Sequence, residues 1–383
     1  MYGWQTSTLA INAKAASTDL SSLAVSLSGV TIQDVTLGMT QDVIEEYPAA
    51  TTLRSVETAS GGVVARIDGY ATMENINVSR LSIPDSISKV FKDVTTFEYV
   101  GDRYVGGVAG KFSPSSIDTD FTLDNIKVSA DLVGLWVGGL FGKVTIDNQH
   151  LLGSSNFNVT NAKVALNSPL HLGNSDKNRY FGGLVGEWVW LRGKVVLSND
   201  TVDVLTDWHA DKHLARAAYM GGLVGMFTGK ADDISFVDVL AENNTITAEI
   251  QTSSLSFYIG GILGRVDLEA SSDDSGTLRI FKSSVKAKES NLIVAISDDL
   301  VLGNASYFVG NAVSRGGNID IQQNYAEGDI NINNDFLSAS GSVGSEIGLG
   351  WFYSANISNN ITVGDIFVKT PLSLCLPLEV HPQ

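Results

Sequence analysis

"YMGGLVG" occupies residues 219–225, and how its three glycines are read decides the fold. Taken alone, it suggests a glycine-rich loop cradling a phosphate. Such a loop needs a preceding strand, a following helix N-terminus, and often Lys followed by Ser or Thr. No copy carries GK[ST], and "GKF" from Gly110 and "GKV" from Gly142 read on as strand. Repetition supplies the other reading. "YVGGVAG" begins at Tyr104, "WVGGLFG" at Trp136, "YFGGLVG" at Tyr180 and "YIGGILG" at Tyr258. Degenerate copies flank them: "ASGGVVA" from Ala59, "FVGNAVS" from Phe308 and "SVGSEIG" from Ser342. The leading glycines are then Gly61, Gly106, Gly138, Gly182, Gly221, Gly260, Gly310 and Gly344. Their intervals of roughly 30 to 50 residues match stacked supersecondary units.

Between the motifs lie alternating runs such as "FTLDNIKVSADL" (121–132), "KVVLSNDTVDVL" (194–205) and "NIDIQQNYAEGDINI" (318–332). Each alternates apolar and polar residues, breaks at Asn, Asp or Ser, and resumes. Period-2 alternation with β-branched residues predicts strands, and no repeat presents an amphipathic helical face. One repeat reads as a glycine-motif strand, a second strand, a polar bend and a third strand. Three short strands cannot bury a face alone, but coiling successive units over one another would. The expectation is an all-β chain, a parallel β-helix (β-solenoid) of about eight irregular three-strand coils with variable loops. At ~4.8 Å per coil it would stand ~40 Å tall. A β-propeller is the alternative, but its blades need four strands and a fixed length. The expected organisation is a single β-helix over residues 1–370. Residues 1–58 form N-terminal coils or a cap, 59–348 the repeats and 349–370 the last coil. Residues 371–383, "PLSLCLPLEVHPQ", form a non-repeat tail or cap.

Composition bounds the partners. The 383 residues are 44% hydrophobic and 17% charged, enough apolar material for a core. A formal net charge of −17 repels nucleic acid and anionic membranes on average. Cys375 is the only cysteine, so no intrachain disulfide forms. The first residues lack a basic-then-apolar leader, and no run of 18 apolar residues predicts a membrane span.

"YFGGLVG", "YMGGLVG" and "YIGGILG" resemble the GLUG repeat, named for its Gly-Leu-apolar-Gly core and found in tandem in bacterial surface adhesins and other large secreted proteins. The resemblance covers about residues 59–348. It implies a β-solenoid at a cell surface or in an extracellular assembly, with motif residues that are structural. The intervals here are longer and less regular than in compact arrays. Terminal copies lose glycines, with Ala65 in place of the last and Asn311 and Ser345 in place of the second.

Stacking would align Tyr104, Trp136, Tyr180, Tyr219 and Tyr258 in one file, each ring pair adding about 0.5–1.5 kcal/mol beyond area burial. Leu140/Phe141, Leu184/Val185, Leu223/Val224 and Ile262/Leu263 would form adjacent files, and Asn125, Asn161, Asn199, Asn324 and Asn359 an amide file at the bend. Other constellations favour bland readings. His209, Asp211 and His213 in "DWHADKH" have zinc spacing for a helix but sit in a polar insert with no third ligand in view. Asp232/Asp233, Asp273/Asp274 and Asp298/Asp299 could bind calcium weakly or act in glycoside cleavage, but they come from differently placed loops without a recurrent Lys or Arg partner and read as solvated bends. Asn77, Asn158, Asn199, Asn243, Asn304, Asn356 and Asn360 satisfy N-x-[ST] and are glycosylation acceptors if the chain is a secreted glycoprotein. No catalytic, cofactor or metal residues emerge.

The expected function is a non-enzymatic structural or adhesive protein, extracellular or on a cell surface, in a filament, sheath or surface layer. Its partners would be neighbouring copies or other surface proteins, associated end-to-end or laterally, and possible glycans, with no nucleic acid. The alternative is a carbohydrate-active β-helix, a polysaccharide lyase or hydrolase, which needs carboxylates and basic residues converging on adjacent coils.

Overall fold

The computed structural model describes residues 5–9, 25–37, 58–68, 71–84, 103–113, 120–145, 156–172, 178–190, 193–210, 217–229, 233–237, 240–250, 256–269, 277–297, 302–315, 317–334, 340–351 and 354–369. Among these the chain is all-β, with no helix, and every strand pairing is parallel. The strands form two large sheets. One has 16 strands and carries every glycine motif; the other carries the alternating runs between them. The chain alternates between the sheets, and each strand between the first and last described repeats pairs with its counterpart one repeat earlier and one repeat later. Ala217–Gly221, for example, lies between Arg179–Gly182 and Ser256–Gly260, with Tyr219 opposite Tyr180 and Tyr258.

The glycine motif interrupts its strand. Arg103–Gly106 ends at the first glycine and Ala109–Ser113 begins after the turn, and the later copies repeat this break. Crowding explains it. A Cβ on Gly221 would lie 1.9 Å from the Val224 carbonyl oxygen, and one on Gly106 would lie 2.0 Å from that of Ala109. The second glycine faces inward: a Cβ on Gly183 would meet Val202 at 2.2 Å, and one on Gly139 would meet Val164 at 2.3 Å. The glycines therefore serve a tight turn and a close approach between sheets together.

In the second sheet the bend resets the alternation. Along Phe121–Leu132 the buried positions are Phe121, Leu123, Ile126, Val128, Ala130 and Leu132. The extra residue between Leu123 and Ile126 falls at Asn125, whose φ is 52°. A residue in the left-handed region turns the chain and restores the apolar face to the interior, and Asn tolerates that conformation better than most residues. Asn75, Asn161, Asn199 and Asn359 take the same conformation. The core then forms between the sheets, where Phe112 meets Phe121 at 5.4 Å between ring centroids and Phe157 meets Trp188 at 4.8 Å.

Two sequence-based alignments need correction. Asn324 is not in the left-handed file; Gln323 occupies that place, and Asn324 is the next, inward-facing position. The copy assigned to residues 308–314 is displaced by four residues. Ser306 pairs with Gly260, and Val309 with Leu263, so Gly310 matches the last glycine of the motif, Gly264. The copy is "NASYFVG", and Tyr307 stands where the second glycine was expected. The file opposite that glycine runs Val202, Ala241 and Val285 in the preceding rungs and Ala326 in this one.

Candidate functional site

The glycine motif has no spare donors for a phosphate. In the 219–225 copy, the Gly222 N–H donates to the Gly260 carbonyl, and the Leu223 and Val224 N–H groups donate to the Ile262 carbonyl at 2.9 and 3.1 Å. These are the backbone groups a phosphate would require. They are spent on holding the next rung.

Two files run side by side along the first sheet. The aromatic file is Tyr104, Trp136, Tyr180, Tyr219 and Tyr258, as the motif spacing predicts. Centroids from Trp136 to Tyr258 are 5.0–5.3 Å apart with interplanar angles of 10–16°, and Tyr104 is tilted 46° on Trp136. Each ring from Trp136 to Tyr219 thus has both faces covered by neighbours, leaving little face for a sugar. Burial, reinforced by the Glu187 carboxylate, pushes the Tyr180 phenol well above its ordinary range, and the Asn178 amide donates to its oxygen at 3.1 Å. Burial raises Tyr219 as well.

The second file is charged at five of six positions: Arg66, Lys111, Lys143, Glu187, Met226 and Arg265 are successive partners in register. The sequence reading does not single out these positions; the register places them beside the rings. Lys111 Nζ lies 5.2 Å from the Tyr104 centroid, Lys143 Nζ 5.6 Å from that of Trp136, and the Arg265 guanidinium 5.1 Å from that of Tyr258. These distances suit cation–π attraction. Glu187 is buried and closes the cluster. Its Oε2 accepts from Trp136 Nε1 at 2.7 Å and pairs with Lys143 Nζ at 2.7 Å. The carboxylate thus offsets the repulsion between stacked cations and locks the indole edge.

The inward file at the bend was not anticipated as a chemical feature. It runs Ile76, Ile126, Ala162 and Asp200 on one side of the stack, and Ser283, Asn324 and Asn360 further along. Asn324 Oδ1 accepts the Ser283 N–H at 2.8 Å, and its Nδ2 donates to the Ile280 carbonyl at 2.9 Å. Asn360 repeats this one rung on, accepting from the Asn324 N–H at 3.0 Å and donating to the Ile321 carbonyl at 2.9 Å. Asp200 accepts the Ala162 N–H through Oδ1 at 2.8 Å, while its Oδ2 is buried without a hydrogen-bond partner. Its side chain is 0% exposed, and burial pushes its pKa up to about 8, against the opposing N–H bonds of Ala162 and Ser198. The shared position after the bend in "SND", "QQN" and "SNN" was the available sequence signal.

The remaining candidates are dispersed. His209 lies within the strand Thr201–Ala210, not in an insert, and its register partners are His171 and Glu249. Asp211 and His213 fall outside the described residues. So do Asp232, Asp273, Asp274, Asp298 and Asp299, while Asp233 begins a strand between Lys194 and Thr277. No group of three or more His, Cys, Asp or Glu side chains poised for a metal occurs among the described residues. Of the N-x-[ST] positions, Asn77, Asn199 and Asn356 are exposed, Asn304 is buried, and Asn360 is committed to its neighbours. Comparison with models of known protein families, with curated proteins and with solved structures finds no match.

Proposed function

We propose that the chain is a non-enzymatic β-helix of the GLUG-repeat kind, serving a structural or adhesive role outside the cell or at its surface. One observation carries the reading: in the described part of the glycine-motif sheet, the groups that could do chemistry are engaged in joining one rung to the next. The glycine N–H groups, the aromatic faces and the Glu187 carboxylate are all engaged with neighbouring rungs. Such a body is a rigid spacer whose variable loops contact partners, either copies of itself or other surface proteins and glycans. Glycosidic cleavage is the competing activity, and it uses two carboxylates at a set separation. At the strip where acidic and basic groups converge, Glu187 is buried and already bonded to Lys143 and Trp136, which disfavours it as an acid or base. The test pairs negative-stain images of native material with a depolymerisation assay on acidic and neutral polysaccharides. Rods, filaments or lattices without cleavage are expected. Cleavage that disappears in Glu187→Gln would overturn the reading.

A further inference from the structure

One file gathers positive charge on an acidic protein. The chain has 25 Lys and Arg against 42 Asp and Glu. Yet Arg66, Lys111 and Lys143 are consecutive register partners on the strands Thr58–Asp68, Ala109–Ser113 and Phe141–Thr145, and all three are partly exposed. No run of Lys or Arg in the sequence announces them, because each belongs to a different repeat. Strand spacing sets successive members ~4.8 Å apart along the stack, so the three span ~10 Å. Like charges that close repel, and the one carboxylate of the file, Glu187, stands beyond Lys143 at one end of the three. The ring file gathers the ammonium groups: Lys111 Nζ lies 5.2 Å and Lys143 Nζ 5.8 Å from the same Tyr104 centroid.

We infer that Arg66, Lys111 and Lys143 bind an extended acidic polysaccharide lying along the stack, with carboxylate or sulfate groups set against successive rungs. The inference deepens the adhesive reading above, on which it rests, by naming the class of glycan. Charge complementarity selects the ligand. A neutral sugar would rely on ring faces, but the rings from Trp136 to Tyr219 cover one another and Tyr104 is buried. The same covering disfavours single-stranded nucleic acid, whose bases stack on open aromatic faces in the proteins that bind it. An acidic sugar chain needs no ring face, and its charges recur along an extended polymer much as the rungs do. Contacts within the chain leave room for it: a guanidinium has five donors and an ammonium three, so each group can serve a ligand oxygen as well. Lys143 is held by Glu187 at 2.7 Å, and that carboxylate repels a further anionic group, which ends the strip there.

Calorimetric titration of the full chain with an oligogalacturonate, a neutral malto-oligosaccharide of equal length and an oligothymidylate tests it. The acidic sugar should bind uncleaved, at least ~10-fold tighter than either of the others, and weaken roughly 10-fold between 50 and 200 mM NaCl. Arg66→Gln/Lys111→Gln should lower the affinity ~10-fold or more while keeping a cooperative thermal transition. Lys127→Gln/Lys163→Gln removes as much charge from an exposed register pair on the other sheet and should leave the affinity nearly unchanged. Equal losses in the two double variants would overturn the inference, because overall charge and not the file would then be responsible. No binding of the acidic sugar, or equal binding of the neutral sugar or the oligothymidylate, would overturn it even if Arg66→Gln/Lys111→Gln fails to fold. Rods or filaments in images of a protein that does not bind would sink this site and leave the structural role standing.

Discussion

Asp200→Asn is expected to stabilise the protein, and by an amount that grows with pH. Asn324 and Asn360 show what the position accepts: an oxygen that takes an N–H from one rung and an amide that donates to a carbonyl there. The carbonyl in the equivalent register for position 200 is that of Val159, the partner of Leu197. Asp200 can donate to it only while it carries a proton. Its ordinary pKa of 3.8 is pushed up to about 8 in the folded chain, chiefly by burial. Below pH 3.8 folded and unfolded chains are both protonated at this group, and its stabilisation is fully present. As pH rises from there to about 8, the unfolded chain releases the proton and the folded chain keeps it, so stability declines by ~1.4 kcal/mol per pH unit. The loss reaches about 4 kcal/mol at pH 7 and levels off at about 6 kcal/mol above pH 8. Asn does not titrate and adds a donor worth ~1 kcal/mol. Urea unfolding of both chains at pH 4, 7 and 9 measures the difference, and the contributions of all other carboxylates cancel. A stability difference that stays constant from pH 4 to pH 9 would refute the reasoning, because Asp200 would then have the same pKa folded and unfolded.

Gly221→Val should destabilise by roughly 3 kcal/mol or more, because its Cβ would fall 1.9 Å from the Val224 carbonyl oxygen and 2.8 Å from that of Ile262, both backbone atoms. An unchanged thermal midpoint would show that the turn has slack. Glu187→Ala leaves the Trp136 N–H and the Lys143 ammonium without their shared acceptor and should cost roughly 2–3 kcal/mol. A double-mutant cycle with Lys143→Met should recover part of that cost. A coupling near zero would place the pair with exposed ion pairs, which contribute little.

Much of this architecture is legible locally. Tyr219 falls opposite Tyr180 and Tyr258 because each occupies the same place before a glycine pair, and the repeat is written into the chain. Strand content follows from alternation in runs such as residues 121–132, whose buried face the pattern also marks. The place of Gly310 is not local. A glycine is first or last in the motif according to which strand it adjoins, and only the pairing of Ser306 with Gly260 decides that.

The sequence by itself thus determined an all-β repeat, the turns of the five glycine-pair copies and the aromatic file, because periodicity and glycine pairs act over a few residues; the turn near Gly310 and the bend at Gln323 it misplaced. Tertiary structure alone decided the state of Asp200 and the partners of Glu187. Asp200 resembles any polar residue at a bend until the neighbouring rungs bury it and leave one oxygen without a donor. Glu187 finds Trp136 and Lys143 only because successive rungs bring distant parts of the chain into register. A charge's environment is set by what is packed against it, and that depends on the register of the rungs above and below.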